Sequence, residues 1–194
     1  MDDFYIVVLS VNQFLDGLFF GFSLMMILAL IAYLFFKNVF IFNFIHHAIR
    51  VARILAIIYF SLYLLSTISY YSSSDFKFFS ERAKGPYAWV YWLMLLRPLL
   101  FCGLIQLFWF KKIRSKMRYI GLLILPIAIL TLFSGAMFEK LVIISASFHR
   151  DVISEGSQFG TDLFFILALH IIETCVVFSA LVFVSWIIRK KTTS

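Results

Sequence analysis

The sequence predicts an all-α fold, a polytopic membrane bundle of five transmembrane helices with its N-terminus outside and its C-terminus in the cytoplasm. Three observations predict it. Hydrophobic residues make up 63% of the chain and charged residues 14%, a balance that suits lipid rather than water as solvent. The apolar residues fall into five long stretches, each exceeding the roughly 20 residues needed to cross about 30 Å of hydrocarbon. The basic residues gather in alternate connections between those stretches.

The stretches run from Phe4 to Phe36, Phe44 to Tyr70, Tyr87 to Phe110, Tyr119 to Phe148 and Leu163 to Ile188. Unpaired backbone amides are too costly in hydrocarbon, and the segments lack the alternation and short length of barrel strands, so each is expected to be a helix. Met1-Asp2-Asp3 is acidic where a secretory signal has a basic region, so the first stretch is read as a retained span. Gly85-Pro86 opens the third, while Pro98 and Pro126 fall inside the third and fourth as expected kinks. Residues 1–194 are read as a single transmembrane domain, a four-helix bundle plus one C-terminal helix. With 194 residues so used, no soluble catalytic domain is left.

Orientation follows from the charges. Eleven of the 17 Lys and Arg residues lie around Lys37 to Arg53, in Lys111 to Arg118 and in Arg189 to Lys191. The opposite set, the N-terminus with the connections Ser72 to Lys84 and His149 to Asp162, holds four, together with seven of the 10 acidic residues. The first set is therefore assigned to the cytoplasm. This also accounts for the net charge of +7 without nucleic acid as a partner.

Outside the basic segments, five charged residues fall inside apolar stretches: Asp16, Arg97, Glu139, Lys140 and Glu173. At about 1.5 Å per residue each lies about 12 to 18 Å from the outer end of its span, and each charge costs about 2.5 to 3.5 kcal/mol at the bilayer centre. Asp16, Arg97, Glu139 and Glu173 are thus expected to form a polar layer. Two readings stand. Arg97 on the third span pairs with Glu139 on the fourth and holds two helices in register, or the acids form a proton path or the wall of a polar pocket. Asn12 and Asp16 at i, i+4, and His170 and Glu173 at i, i+3, each share a helix face.

Haem is not expected in this chain. His46 and His47 lie toward the cytoplasmic side, His149 at the outer edge and His170 about 10 Å inward, so no pair shares the depth that facing ligands need. His46 and His47 read as an interfacial pair near Arg50 and Arg53. Cys102 and Cys175 lie in apolar stretches without ligand spacing and read as packing residues.

Two blocks carry a family resemblance. Gly85-Pro86-Tyr87-Ala88-Trp89-Val90-Tyr91-Trp92-Leu93-Met94, followed by Leu107-Phe108-Trp109-Phe110-Lys111-Lys112-Ile113-Arg114, resembles the NrfD-type membrane subunits of polysulfide reductase and alternative complex III. Phe138-Glu139-Lys140-Leu141-Val142-Ile143-Ile144, running into Ser147-Phe148-His149-Arg150-Asp151, looks like the Glu-Arg and Ser-Leu-His-Arg-Asp region of the same family. The likeness covers roughly residues 17–151 and only the C-terminal half of the family's two-bundle architecture.

The resemblance implies a membrane subunit of a respiratory, quinol-linked oxidoreductase complex in the bacterial cytoplasmic membrane. In that family quinone, haem and iron–sulfur clusters belong to the complex, and the membrane subunit holds no cofactor itself. Partners would be other membrane subunits, extracytoplasmic redox subunits and lipid. The family's quinone pocket belongs mainly to the bundle that has no counterpart here, so a non-catalytic subunit is expected. Glu139 with His149, Arg150 and Asp151 would form a polar network toward the outer face, joined by His170. Arg97 departs from the family, which has a neutral Asn in this region. Alternative readings are a quinone-site subunit in its own right, a haem b membrane anchor, and a small transporter.

Overall fold

A computed structural model describes residues 2–71, 84, 88–132 and 158–192 of the chain. Among these the regular structure is entirely helical. Helix α1 spans Asp2–Phe36, α2 Val39–Tyr71 and α3 Ala88–Gln106, followed by a 3₁₀ turn, Leu107–Trp109. The one-turn α4, Lys111–Arg114, leads into α5, Met117–Leu132, and α6 covers Gln158–Thr192.

Among the described residues four segments are long and apolar enough to cross a membrane: Ser10–Phe36, Val39–Ile68, Tyr91–Trp109 and Ala168–Lys191. The chain is a multi-pass membrane protein. The fourth expected span, Tyr119 to Phe148, is described only over its first half, where Met117–Thr131 forms a shorter apolar helix. Its second half lies outside the described residues, as do the connections Ser72 to Ala83 and His149 to Ser157.

The sequence reading leaves Lys37 to Asn43 between the first two stretches, and the structure carries the second helix back to Val39. Only Lys37 and Asn38 link α1 to α2. Lys37 takes the left-handed conformation, φ 44°, while its amide still donates to the Tyr33 carbonyl at 3.0 Å. The Asn38 side-chain oxygen then accepts from the Phe40 amide at 2.8 Å and caps α2. Arg50 and Arg53 consequently lie on α2 itself, more than two turns into it. A helix of 33 residues exceeds the roughly 20 that cross a bilayer, so it can carry charged residues beyond its most apolar part.

Helix α1 is the hub, packed against α2, α5 and α6, while α3 packs on α2 and α5. Small residues permit the closest approaches. Ala48, Ala52 and Ala56 repeat every fourth residue along α2 and are fully buried. On α1, Gly17 and Gly21 face Thr174 of α6. A Cβ at Gly21 would fall on the Thr174 backbone carbonyl. This is the small-residue spacing that lets helices approach where the hydrophobic effect supplies no drive between them. The core is filled by Phe19, Phe22, Met26, Ile45, Phe101, Ile105, Ile124 and Phe178. Phe14, Leu28, Leu122, Leu125, Phe165 and Val176 point outward, an apolar girdle suited to lipid.

Candidate functional site

A polar layer crosses the bundle between α1, α2, α3 and α5. At its centre the Arg97 guanidinium of α3 donates to the Asp16 carboxylate of α1 at 2.7 Å. The same guanidinium donates through Nε to the Leu130 carbonyl of α5, also at 2.7 Å. One cation therefore ties three helices. The two side chains retain 10% and 22% exposure, so the charges sit mostly out of solvent and are compensated by each other and by hydrogen bonds.

Aromatic rings close one side of the pair. Phe19, one turn from Asp16, packs on Phe101 with ring centroids 5.0 Å apart, and both meet Tyr59 of α2, at 5.7 and 5.4 Å. Arg97 lies 5.8 Å from the Phe101 ring, and the Tyr59 hydroxyl faces Asp16. The cation thus has a carboxylate, a carbonyl and a ring around it.

Neutral hydrogen bonds extend the layer. The Asn12 side-chain amide reaches Ser66 of α2 at 3.5 Å, and its buried oxygen has no hydrogen-bond partner among the described residues. The Tyr63 hydroxyl of α2 donates to the Leu95 carbonyl of α3 at 2.7 Å. Deeper in the bundle Thr131 of α5 donates to Ser23 of α1 at 2.9 Å, and Ser23 donates back to its own helix at Phe19. Buried hydroxyls satisfied in this way add interhelical contacts without leaving polar atoms in hydrocarbon.

Of the residues expected to form the polar layer, the structure brings Asp16 and Arg97 together, with Asn12 one turn away. Glu173 does not join them. Its helix turns Thr174 toward α1 and leaves Glu173 on the outside, beside the exposed Leu169, Ile172 and Val176. His170 is half-buried on the same helix. Glu139, Lys140, His149, Arg150 and Asp151 lie outside the described residues, and with them the expected Arg97–Glu139 pair and outer-face network. The carboxylate seen on Arg97 is that of α1.

His46 packs edge-on against Phe42 at 4.4 Å, and His47 stacks on Trp186 of α6 at 5.5 Å. They face different neighbours rather than a common ligand. Cys102 is buried and Cys175 half-buried, both as free thiols. Among the described residues no three His, Cys, Asp or Glu side chains converge as a metal site. The arrangement can bind helices together and hold a fixed charge pair at depth.

The sequence reading missed the Gly17-Gly21 contact and the Ser23–Thr131 bridge. Gly17-Leu18-Phe19-Phe20-Gly21 carries the small-residue spacing openly. A lone Ser and a lone Thr carry no such signal. Comparison with protein families, curated proteins and solved structures gives no match to this chain.

Proposed function

We propose that the chain is a non-catalytic, five-span subunit of a larger membrane complex, with its N-terminus outside and its C-terminus in the cytoplasm. The observation that carries this reading is Glu173. An ionisable side chain on the outer surface of an apolar helix costs about 2.5 to 3.5 kcal/mol against lipid at the bilayer centre. A neighbouring membrane subunit offering a donor or a cation removes that cost. The buried Asp16–Arg97 pair, by contrast, is internally satisfied and serves to hold α1, α3 and α5 together.

The resemblance of residues 85–94, 107–114 and 138–151 to NrfD-type subunits gives the complex its class. In this reading it is a respiratory electron-transfer complex of the bacterial cytoplasmic membrane, with quinone and haem or iron–sulfur clusters held by partner subunits. The test is purification in mild detergent, followed by mass spectrometry and a reduced-minus-oxidised spectrum. Stoichiometric co-purification of membrane and redox subunits, weakened by Glu173→Leu, is the expected result. A wild-type chain that purifies alone as a monomer would overturn the subunit reading. A stable complex without redox centres would overturn its respiratory class.

A further inference from the structure

Arg53 of α2 is a buried cation, 5% exposed, and its surroundings differ from those of Arg97. Arg97 has a carboxylate and a carbonyl, each at 2.7 Å. Arg53 has the Phe108 carbonyl at 3.5 Å and the face of the Trp109 ring, whose centroid lies 4.2 Å from the guanidinium carbon. Among the described residues its buried Nε has no hydrogen-bond partner and no carboxylate pairs with it. The chain between Asp16 and Asp75, which contains α2, holds no other Asp or Glu, and neither does the chain between Glu81 and Glu139, which contains the turn from α3 to α5.

Like charge gathers around it instead. Arg114 of α4 and Arg50, one turn earlier on α2, lie close enough to repel Arg53. The one-turn helix fixes Arg114 there, since its amide donates to the Phe110 carbonyl at 3.2 Å, two residues beyond the Phe108 carbonyl that Arg53 reaches. Trp109 is held over Arg53 by its indole N–H, which donates to Gln106 at 2.5 Å, while Gln106 donates to the Arg53 backbone carbonyl at 3.3 Å. Trp109 is itself more than half exposed, so on that side one ring separates the guanidinium from the surface. Arg114 beside it is half-buried.

We infer that Arg53 and Arg114 together bind a phosphate group, carried either by free inorganic phosphate or by a lipid headgroup. A buried charge without a counter-ion and a buried donor without an acceptor are both costly, and one oxyanion removes both costs. Two guanidiniums that repel each other are bridged by a group with several oxygens, and the planar Arg fork fits phosphate oxygens two at a time. Trp109 occupies the face of Arg53 and leaves its edge for that contact, and the edge is where the N–H donors point.

Binding to the purified chain in neutral detergent tests the inference. Inorganic phosphate is titrated by calorimetry at constant ionic strength, and dioleoyl phosphatidic acid is compared with dioleoylglycerol, which lacks the phosphate, by native mass spectrometry. Both are measured on wild type, R53Q, R114Q and R118Q, with helix content checked by circular dichroism. Wild type is expected to bind at least one of the two phosphate-bearing probes. R53Q is expected to weaken that binding about tenfold or more, as loss of a hydrogen bond to a charged group does. R114Q, on a half-buried residue outside the core, is expected to weaken it about fivefold. R118Q removes an exposed charge from the same basic segment and is expected to change little. Binding of phosphatidic acid that millimolar inorganic phosphate does not displace supports a headgroup site, and displacement supports a free-phosphate site. Absence of phosphate binding together with equal binding of the two lipids would overturn the inference, as would undiminished binding in helical R114Q. An equal loss in R118Q would also overturn it, by showing diffuse attraction to the basic end in place of a site.

Discussion

Arg97 reaches Asp16 across 81 residues of sequence, at 2.7 Å, and in doing so joins the first helix to the third. Removing one member of a buried pair strands the other charge, at a cost of about 3 to 5 kcal/mol, whereas replacing both by apolar residues is often tolerated. Asp16→Leu and Arg97→Leu are each expected to lower the yield of monodisperse protein and its melting temperature. The double Leu variant is expected to recover most of both. Fluorescence-detected size-exclusion chromatography after heating measures this. A double variant no better than the worse single one would show that the pair does not set the stability of the bundle.

Gly21 meets the Thr174 backbone, which cannot move aside as a side chain can. Gly21→Leu is therefore expected to pry α1 from α6, costing at least about 1 to 3 kcal/mol as overpacking does. Gly17→Ala would meet only the Thr174 methyl at 3.4 Å, and a Cβ at Gly121 would meet nothing within 4 Å. Both of these are expected to be near neutral in the same thermal assay. A loss at Gly121 comparable to that at Gly21 would show that the effect is not a matter of packing.

Thr131→Val keeps the side-chain shape and deletes the donor to Ser23. Tyr63→Phe deletes the donor to Leu95. Interhelical hydrogen bonds in membranes average about 0.6 kcal/mol and reach about 1.7. Each change is expected to destabilise within that range, measured as a shift in the unfolding midpoint in mixed micelles. A cost of several kilocalories from either one would mean that it belongs to a coupled network rather than standing alone.

Topology can be read in intact cells. Cysteine at Ser157 is expected to react with an impermeant thiol reagent from outside, and cysteine at Ser115, which is exposed beside the basic α4, only after permeabilisation. The native thiols interfere little, Cys102 being buried and Cys175 half-buried within its helix. The reverse labelling pattern would invert the orientation.

The helices were legible in the sequence because hydrocarbon leaves the backbone one solution, and length alone finds it. The membership of Asp16 and Arg97 in a polar layer was legible for a similar reason, since an ion at that depth needs company. The contact with Asp16 was not. Sequence order makes the third and fourth spans neighbours, which favoured Glu139 for Arg97, and Glu139 lies outside the described residues. Apolar periodicity does not reveal that α1 is the hub, because lipid-facing and core-facing positions are equally greasy. The outward placement of Glu173 was hidden likewise. Its spacing from His170 fixes a shared helix face but not the direction in which that face looks, and the Thr174 contact with Gly17 and Gly21 decides the direction.

The distance along the chain between Asp16 and Arg97 is also an interval of time. At about 5 to 20 residues per second, the ribosome needs about 4 to 16 seconds to make the 81 residues that separate them. During that interval the first helix has its acid in the translocon or the bilayer without its guanidinium. What carries it is the rest of Ser10–Phe36, since each Leu, Ile, Phe or Val near the centre contributes about 0.3 to 0.6 kcal/mol toward insertion against about 2.5 to 3.5 for one Asp. The greasiness of α1 thus serves biogenesis as much as the finished bundle. Diluting it with polar residues at lipid-facing positions is expected to harm insertion before it harms the fold.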